Sequence, residues 1–324
     1  MSAPPSVSFQ LNWEPNGFQA PYFLARERGF YEEEGLEVQF VEGHGSPFAA
    51  EEAARGRADF ALAGASAVLS VRSQGHEPLA VAALTQKTPA AVYSLRDVFG
   101  ELLEDPTQLA GRTVAPSATK TRILAAQLLS DAGIRDEVEL LDVDPHTHHR
   151  VEHQLLDGSV DAAVGVVTNG IELEREHDRK ADELPIGDFL PIYGMTLVTN
   201  PEFANANPST VEGFLRATAR GWIEATNDPE AAIDALVARN ATLERDREIE
   251  RIKFETASEK LQFTEHVREA GWGNHDATRW KTLEHTLAET DLLEGAVDAE
   301  TVWTNEFLDT NADVIGEYAT RIGR

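Results

Sequence analysis

Apolar and polar positions alternate through "VSFQLNW" (7–13) and "LEVQFVE" (36–42), and a period of two predicts strands. Between them, Pro21 to Glu34 has apolar residues at helical spacing and stops at Gly35, which predicts one helix. "ADFALAG" (58–64) and "LAVAALTQ" (79–86) are further strands. Each follows a helical stretch, one including "FAAEEAARG" and one starting near Ser66. Alternating strands and helices imply a parallel sheet with helices on its faces. The rhythm restarts with the strand "GRTVAPS" (111–117) and the helix "TKTRILAAQLLSDAG", ended by Gly133. "EVELLDV" and "DAAVGVV" are strands around the helix "HHRVEHQLLDGS"; "ELPIGDF" and "PIYGMTLVTN" are extended. After Asn200 the pattern is helical: "STVEGFLRATARGWIEATND" capped by Ser209, "PEAAIDALVARN" starting at Pro229, then "HDATRWKTLEHTLAET" and "TVWTNEFLDTNADVIGEYATRI".

Two extended segments, 90–97 and 192–199, read as crossings between lobes. They predict a discontinuous first lobe, 1–92 plus 196–324, and an inserted second lobe, 93–195. The expected fold class is α/β with two lobes, each a mostly parallel sheet flanked by helices. A cleft is expected between them, hinged at Tyr93 and Tyr193. The length of 324 residues suits two lobes.

Ligands of parallel sheets sit beyond the carboxyl ends of the strands. Seven loops fall there. The first, 12–19, holds Asn12, Trp13, Asn16 and Gln19, a stacking face and amides suited to a small planar heterocycle; the alternative is a core Trp13 with Asn16 turning the chain before Gly17. "GHGSP" (43–47) supplies Ser46, "GASA" (64–67) supplies Ser66 and loop 85–88 supplies Gln86; turn chemistry is the alternative for the first two. "PSATKTRI" (116–123) opens a helix with Ser117, Thr119 and Lys120, a place for an anion or for ordinary capping by Thr119. Thr168, Asn169 and Glu172 follow a strand, with Glu172 either an acceptor for a ring amino group or a solvated helix carboxylate. Tyr193 stands at a crossing. The histidine run "HTHHRVEH" (146–153) puts His149 and His153 on one helical face but lacks a third ligand, so no metal is expected. Neither a nucleophile elbow nor a dinucleotide fingerprint occurs.

The net charge of −28, from 56 acidic and 28 basic residues, repels phosphate backbones, and no nucleic-acid partner is expected. Abundant acid, only six lysines and no cysteine fit a halophilic protein working in strong salt. Without cysteine there is no disulfide, thiolate metal site or lipid anchor through that residue. "MSAPPSVSFQ" is not a signal peptide, so the chain is expected to be cytoplasmic or to rely on an export segment outside this sequence.

"LNWEPNGFQAPYFLARERGFYEEEGLEV", "ADFALAG", "LAGRTVA" and "LVTNPEFANANPSTVEGFLRATARGWIEATNDPEAA" resemble the NMT1/THI5-like family over nearly the whole chain. The resemblance implies the periplasmic-binding-protein type II fold. One branch of that family comprises solute-binding proteins of ABC importers; another comprises yeast-type thiamine pyrimidine synthases. The synthases consume one of their own histidines and bound pyridoxal phosphate. Aligned on "ADFALAG", their lysine and histidine fall at Ala63 and Ala67, and their Cys-rich motif falls near "PIYGMTL". The resemblance therefore implies a binding protein without cofactor, carrying a thiamine pyrimidine precursor to an ABC permease as a monomer or weak dimer. An extracytoplasmic location goes with that role. The Trp13–Pro15–Asn16 loop and Gly170–Ile171–Glu172 resemble the pyrimidine branch, although Gln19 stands where that branch often has histidine. The alternatives are a synthase-like enzyme and a sulfonate- or nitrate-type anion receptor relying on Lys120 or Arg122.

Overall fold

The computed structural model describes residues 5–143, 150–262, 264–289 and 293–309. In chain order its strands are β1 Ser6–Gln10, β2 Glu37–Val41, β3 Phe60–Gly64, β4 Leu79–Ala83, β5 Ala90–Leu95, β6 Thr113–Pro116, β7 Glu139–Leu140, β8 Ala162–Val166, β9 Ala181–Pro185 and β10 Met195–Thr199. They form two sheets, β2-β1-β3-β10-β4 and β7-β6-β8-β5-β9. The chain divides into two compact units, residues 1–87 with 192–324 and residues 88–191.

Both sheets are mixed. In the first, β1 pairs parallel with β2 and β3, whereas β10 runs antiparallel to β3 and β4. In the second, β6 pairs parallel with β7 and β8, and β5 runs antiparallel to β8 and β9. The antiparallel member of each sheet is the strand by which the chain enters that unit. Each sheet is thus mostly parallel, as expected, with one antiparallel strand; the period of apolar residues carries no direction and does not single out β5 or β10.

The core of the first unit is aromatic. Phe60 stacks on Phe214 at 3.9 Å and 6°, and Phe9 meets Phe214 edge-on at 5.2 Å. Tyr31 stacks on Phe214 at 5.5 Å, and its hydroxyl meets that of Thr218 at 3.1 Å. Beside this core, helix Ala20–Glu27 touches helix Pro208–Asn227 nearly backbone to backbone. A Cβ on Gly221 would lie 2.6 Å from both Ala25 Cβ and Pro21 O. The second unit has a smaller core of Tyr93, Leu95, Ala115, Val151, Leu155, Val160, Ala163 and Leu173.

Three helix boundaries differ from expectation. The helix expected over Pro21–Glu34 is two, Ala20–Glu27 and Phe30–Glu33, because Gly29 adopts a left-handed φ of 75° between them. The long helix starts at Pro208 with Asn207 as its cap, so Ser209 is already helical. The helix expected from "TKTRIL" runs Thr119–Asp131 with Ala118 at its cap position. Residues 146–149 of the histidine run and the end of the last expected helix lie outside the described residues.

Candidate ligand-binding site

Strand β1 ends at Gln10, and the chain leaves the sheet as a loop tied down on three sides. Towards β2, the Gly45 N–H donates to Asn12 O at 2.7 Å and the Gly43 N–H to Trp13 O at 3.4 Å. A Cβ on Gly43 would lie 1.9 Å from Leu11 O, so only glycine allows this approach. Within the loop, the Asn16 side chain accepts from the Phe18 N–H at 3.0 Å, and the Asn16 N–H donates to Gln19 Oε1 at 2.9 Å. Gln19 Nε2 donates to Asn12 Oδ1 at 3.0 Å. The two amides expected to face a ligand thus form a capping box on the short helix Gly17–Gln19.

The third tie is Glu250 on helix Arg247–Thr256. Its carboxylate is 3% exposed and accepts from the Gly17 N–H at 2.5 Å and from Lys253 Nζ at 3.1 Å. Gly17 is pressed against that helix, since a Cβ there would lie 1.9 Å from Glu250 O. On this anchored loop Trp13 is 55% exposed, the most exposed large apolar side chain among the described residues. The neighbouring loop adds His44 and Phe48, which meet edge-on at 5.6 Å, with Phe48 also exposed. "GHGSPF" carried that aromatic signal. Glu250, 233 residues from Gly17, left none in the local pattern.

The other expected residues of the first unit differ in their freedom. Ser46 is half-buried at the start of helix Ser46–Ala54, and Ser66 is buried in the first turn of helix Ala65–Ser73. Gln86 is fully buried; its Nε2 donates to Ala83 O at 3.3 Å and Asn274 O at 3.4 Å. Its Oε1 is buried with no hydrogen-bond partner among the described residues, and Arg279 donates to its main-chain oxygen. Tyr193 is also buried, its hydroxyl accepting from the Asp276 N–H at 2.6 Å. Burial, partly offset by that hydrogen bond and by Arg279, pushes its phenol up to about 12. The β3–β10 pairing sets Gly64 opposite Met195, and the Ala65 N–H donates to Gly194 O at 2.8 Å. The carboxyl ends of β1, β3 and β4 and the start of β10 thus share one edge of the first sheet.

In the second unit, β6 and β8 bring 116–121 and 166–172 to one sheet edge, where the Ser117 N–H donates to Val164 O at 2.9 Å. Thr119 is exposed and caps nothing; Thr121 makes the local bonds, its Oγ1 accepting from the Ala118 N–H at 3.0 Å. Lys120 is half-buried with no ion pair among the described residues, and burial pulls its amine down to about 8. Asn169 Oδ1 accepts from the Val166 N–H at 2.8 Å, a structural use of that amide. Thr168 is buried and its hydroxyl donates to Glu172 Oε1 at 3.2 Å. Nearby, burial and then Glu152 hold the Tyr93 phenol well above its usual range, with smaller contributions from Glu172 and Glu183. Tyr93 lies in mid-β5, whereas the units divide at 87–88 and 191–192. This edge brings the Lys120 amine and the Glu172 carboxylate, a donor and an acceptor suited to a polar ring, to the same unit.

The family model described as NMT1/THI5 like matches residues 16–232. The chain is 24% identical over 307 residues to the formylaminopyrimidine-binding protein of Halalkalibacterium halodurans, covering 93% of this chain and 90% of that protein. It is 25% identical over 242 residues to a 4-amino-5-hydroxymethyl-2-methylpyrimidine phosphate synthase of Saccharomyces cerevisiae, covering 70% of this chain and 68% of that one. Among solved structures, the periplasmic aliphatic sulphonate binding protein SsuA of Escherichia coli superposes with a TM-score of 0.71 at 15% identity, over 92% of each chain. That likeness places the fold with the periplasmic binding proteins of type II.

Proposed function

The chain belongs to the NMT1/THI5-like family, and from that premise we propose that it is a solute-binding protein for a small planar heterocycle of the aminopyrimidine class. The observation that carries this reading is Trp13, a half-exposed ring on a loop whose own polar groups are spent on holding it still. A rigid stacking face loses little entropy on binding, which suits a flat ring. Asn16 and Gln19 act by shaping the loop that carries the ring. The loaded protein delivers its cargo to an ABC permease, which puts its working place outside the cytoplasm. Calorimetric titration with 4-amino-5-hydroxymethyl-2-methylpyrimidine and formylaminopyrimidine tests this. Saturable binding is expected, weakened by about 1–3 kcal/mol in Trp13→Ala. Unchanged affinity in that variant removes Trp13 from the site; no binding by either compound refutes the ligand class.

The second reading is a synthase of the pyrimidine itself, supported by the similarity to the yeast enzyme. Against it stand Ala63 and Ala67, where the lysine and histidine of the yeast-type synthases would fall; both are buried alanines, 0% and 6% exposed. Titration with pyridoxal phosphate separates the readings. A Schiff-base absorbance that borohydride fixes onto Lys120 or Lys87 favours the synthase; its absence favours the receptor.

A further inference from the structure

Helix Ala20–Glu27 packs against helix Pro229–Arg239, and an open pocket of about 400 Å³ lies at their C-terminal ends. Phe23, Arg26, Glu27, Ala235, Ala238 and Arg239 line it. It is at the opposite end of helix Ala20–Glu27 from Gln19, so it is separate from the Trp13 loop. The Arg26 guanidinium lies over two rings, 4.9 Å from the centre of Phe40 and 5.7 Å from that of Phe23. Neighbouring arginines on the same unit reach carboxylates: Arg28 meets Glu224 at 3.5 Å, Arg216 meets Glu34 at 2.8 Å and Arg220 meets Glu33 at 2.6 Å. Arg26 and Arg239 have no carboxylate within 4.0 Å among the described residues. In a chain where 56 acidic groups face 28 basic ones, two guanidiniums in one pocket without a carboxylate in ion-pair contact among the described residues go against the surrounding charge. Burial and then the charge of Arg239 lower the pKa of Arg26 from its usual value, against smaller opposing effects of Glu32, Tyr31 and Glu27, so the two cations feel each other. The helix dipole favours a basic residue in each last turn, but it gives no reason for the two to converge.

We propose that this pocket is an anion-binding site, taking a phosphate or carboxylate group between the guanidiniums of Arg26 and Arg239. Guanidinium forks match the oxygens of such groups, and a bound anion relieves the repulsion between the two cations. Phe23 and Ala235, both buried, form the apolar floor. Glu27 on the wall favours an occupant that also carries an O–H donor, so dihydrogen phosphate is the better probe and a bare halide the poorer one.

The test is calorimetric titration of the full chain with inorganic phosphate at constant ionic strength in KCl. Parent protein, Arg239→Gln and Lys120→Met are compared. Arg239 is exposed, so its replacement leaves the core intact. The expected result is one phosphate per chain in the parent. Affinity falls about tenfold or more in Arg239→Gln, the scale of one charge-assisted contact. It stays unchanged in Lys120→Met, and aminopyrimidine affinity is the same in Arg239→Gln as in the parent. No phosphate-specific heat in the parent, equal affinity in Arg239→Gln, or a loss confined to Lys120→Met each overturns the proposal. A changed sedimentation coefficient in Arg239→Gln also overturns it, since a second copy of the chain would then fill the pocket.

Discussion

Removing the Glu250 carboxylate measures how firmly the Trp13 loop is held. The group is 3% exposed and serves two donors, the Gly17 N–H at 2.5 Å and Lys253 Nζ at 3.1 Å. A hydrogen bond to a charged group contributes about 1.5–3 kcal/mol, and a buried N–H left without a partner costs about 1–3 kcal/mol. Lys253, with its side chain 20% exposed, recovers part of its hydration. Glu250→Ala is therefore expected to lower stability by about 3 kcal/mol. Glu250→Gln keeps an acceptor and loses the charge, and is expected to lower it by about 1 kcal/mol. The control is Glu255→Ala on the same helix, whose carboxylate pairs with Arg251 at 2.5 Å in a half-exposed setting; its effect stays within about 0.5 kcal/mol. Urea unfolding followed by tryptophan emission is the assay. All five tryptophans lie in the first unit, so the signal reports that unit alone. Aminopyrimidine affinity is measured on the same proteins and falls in the same order. A Glu250→Ala protein within about 0.5 kcal/mol of the parent refutes the anchoring argument.

Three further predictions concern charge. His275 is buried, and burial followed by the nearby His266 pulls it down to about 3 from an unfolded value of 6.5. Between those values only the unfolded chain takes up the proton, so stability falls as pH drops below 6.5, at roughly 1 kcal/mol per pH unit. Urea midpoints at pH 7 and pH 5 show this loss in the parent and not in His275→Gln; equal losses in the two refute it. Lys120, held near 8 against 10.5 unfolded, works in the same direction at higher pH. Stability rises from pH 8 towards 10.5, and Lys120→Met removes that rise; a parent whose stability is flat over this range contradicts it. Finally, a surface with net charge −28 repels itself, and salt screens it, so the melting temperature is expected to be higher in multimolar KCl than at low salt. A lower melting temperature in high salt overturns the halophilic reading.

The strands and most helices were legible because burial imposes a period of two or of 3.6 on the chain. β3, "FALAG", is buried at every position, and its apolar run says so. The directions of β5 and β10 were not legible, since a strand reads alike whichever way it runs. Gly29 marked a helix break that the apolar spacing on either side concealed. At the site, Trp13 stood out as an aromatic at a strand end. Asn16 and Gln19 also carried a capping pattern, a capping residue followed three positions later by Gln, and the structure shows that box formed. Gln86 read as a loop residue because hydropathy cannot show a side chain turned inward onto Ala83 and Asn274. Glu250 was out of reach because its partner is distant in sequence and only the packed helix brings them together.

Native mass spectrometry of the purified chain incubated with an equimolar panel of aminopyrimidines, riboflavin and an alkanesulfonate, followed by denaturing release of the bound compound, tests the central claim most directly. One aminopyrimidine per chain is expected, released with its mass unchanged. An empty protein across the panel, an altered ligand mass, or a covalent adduct left on a lysine contradicts it.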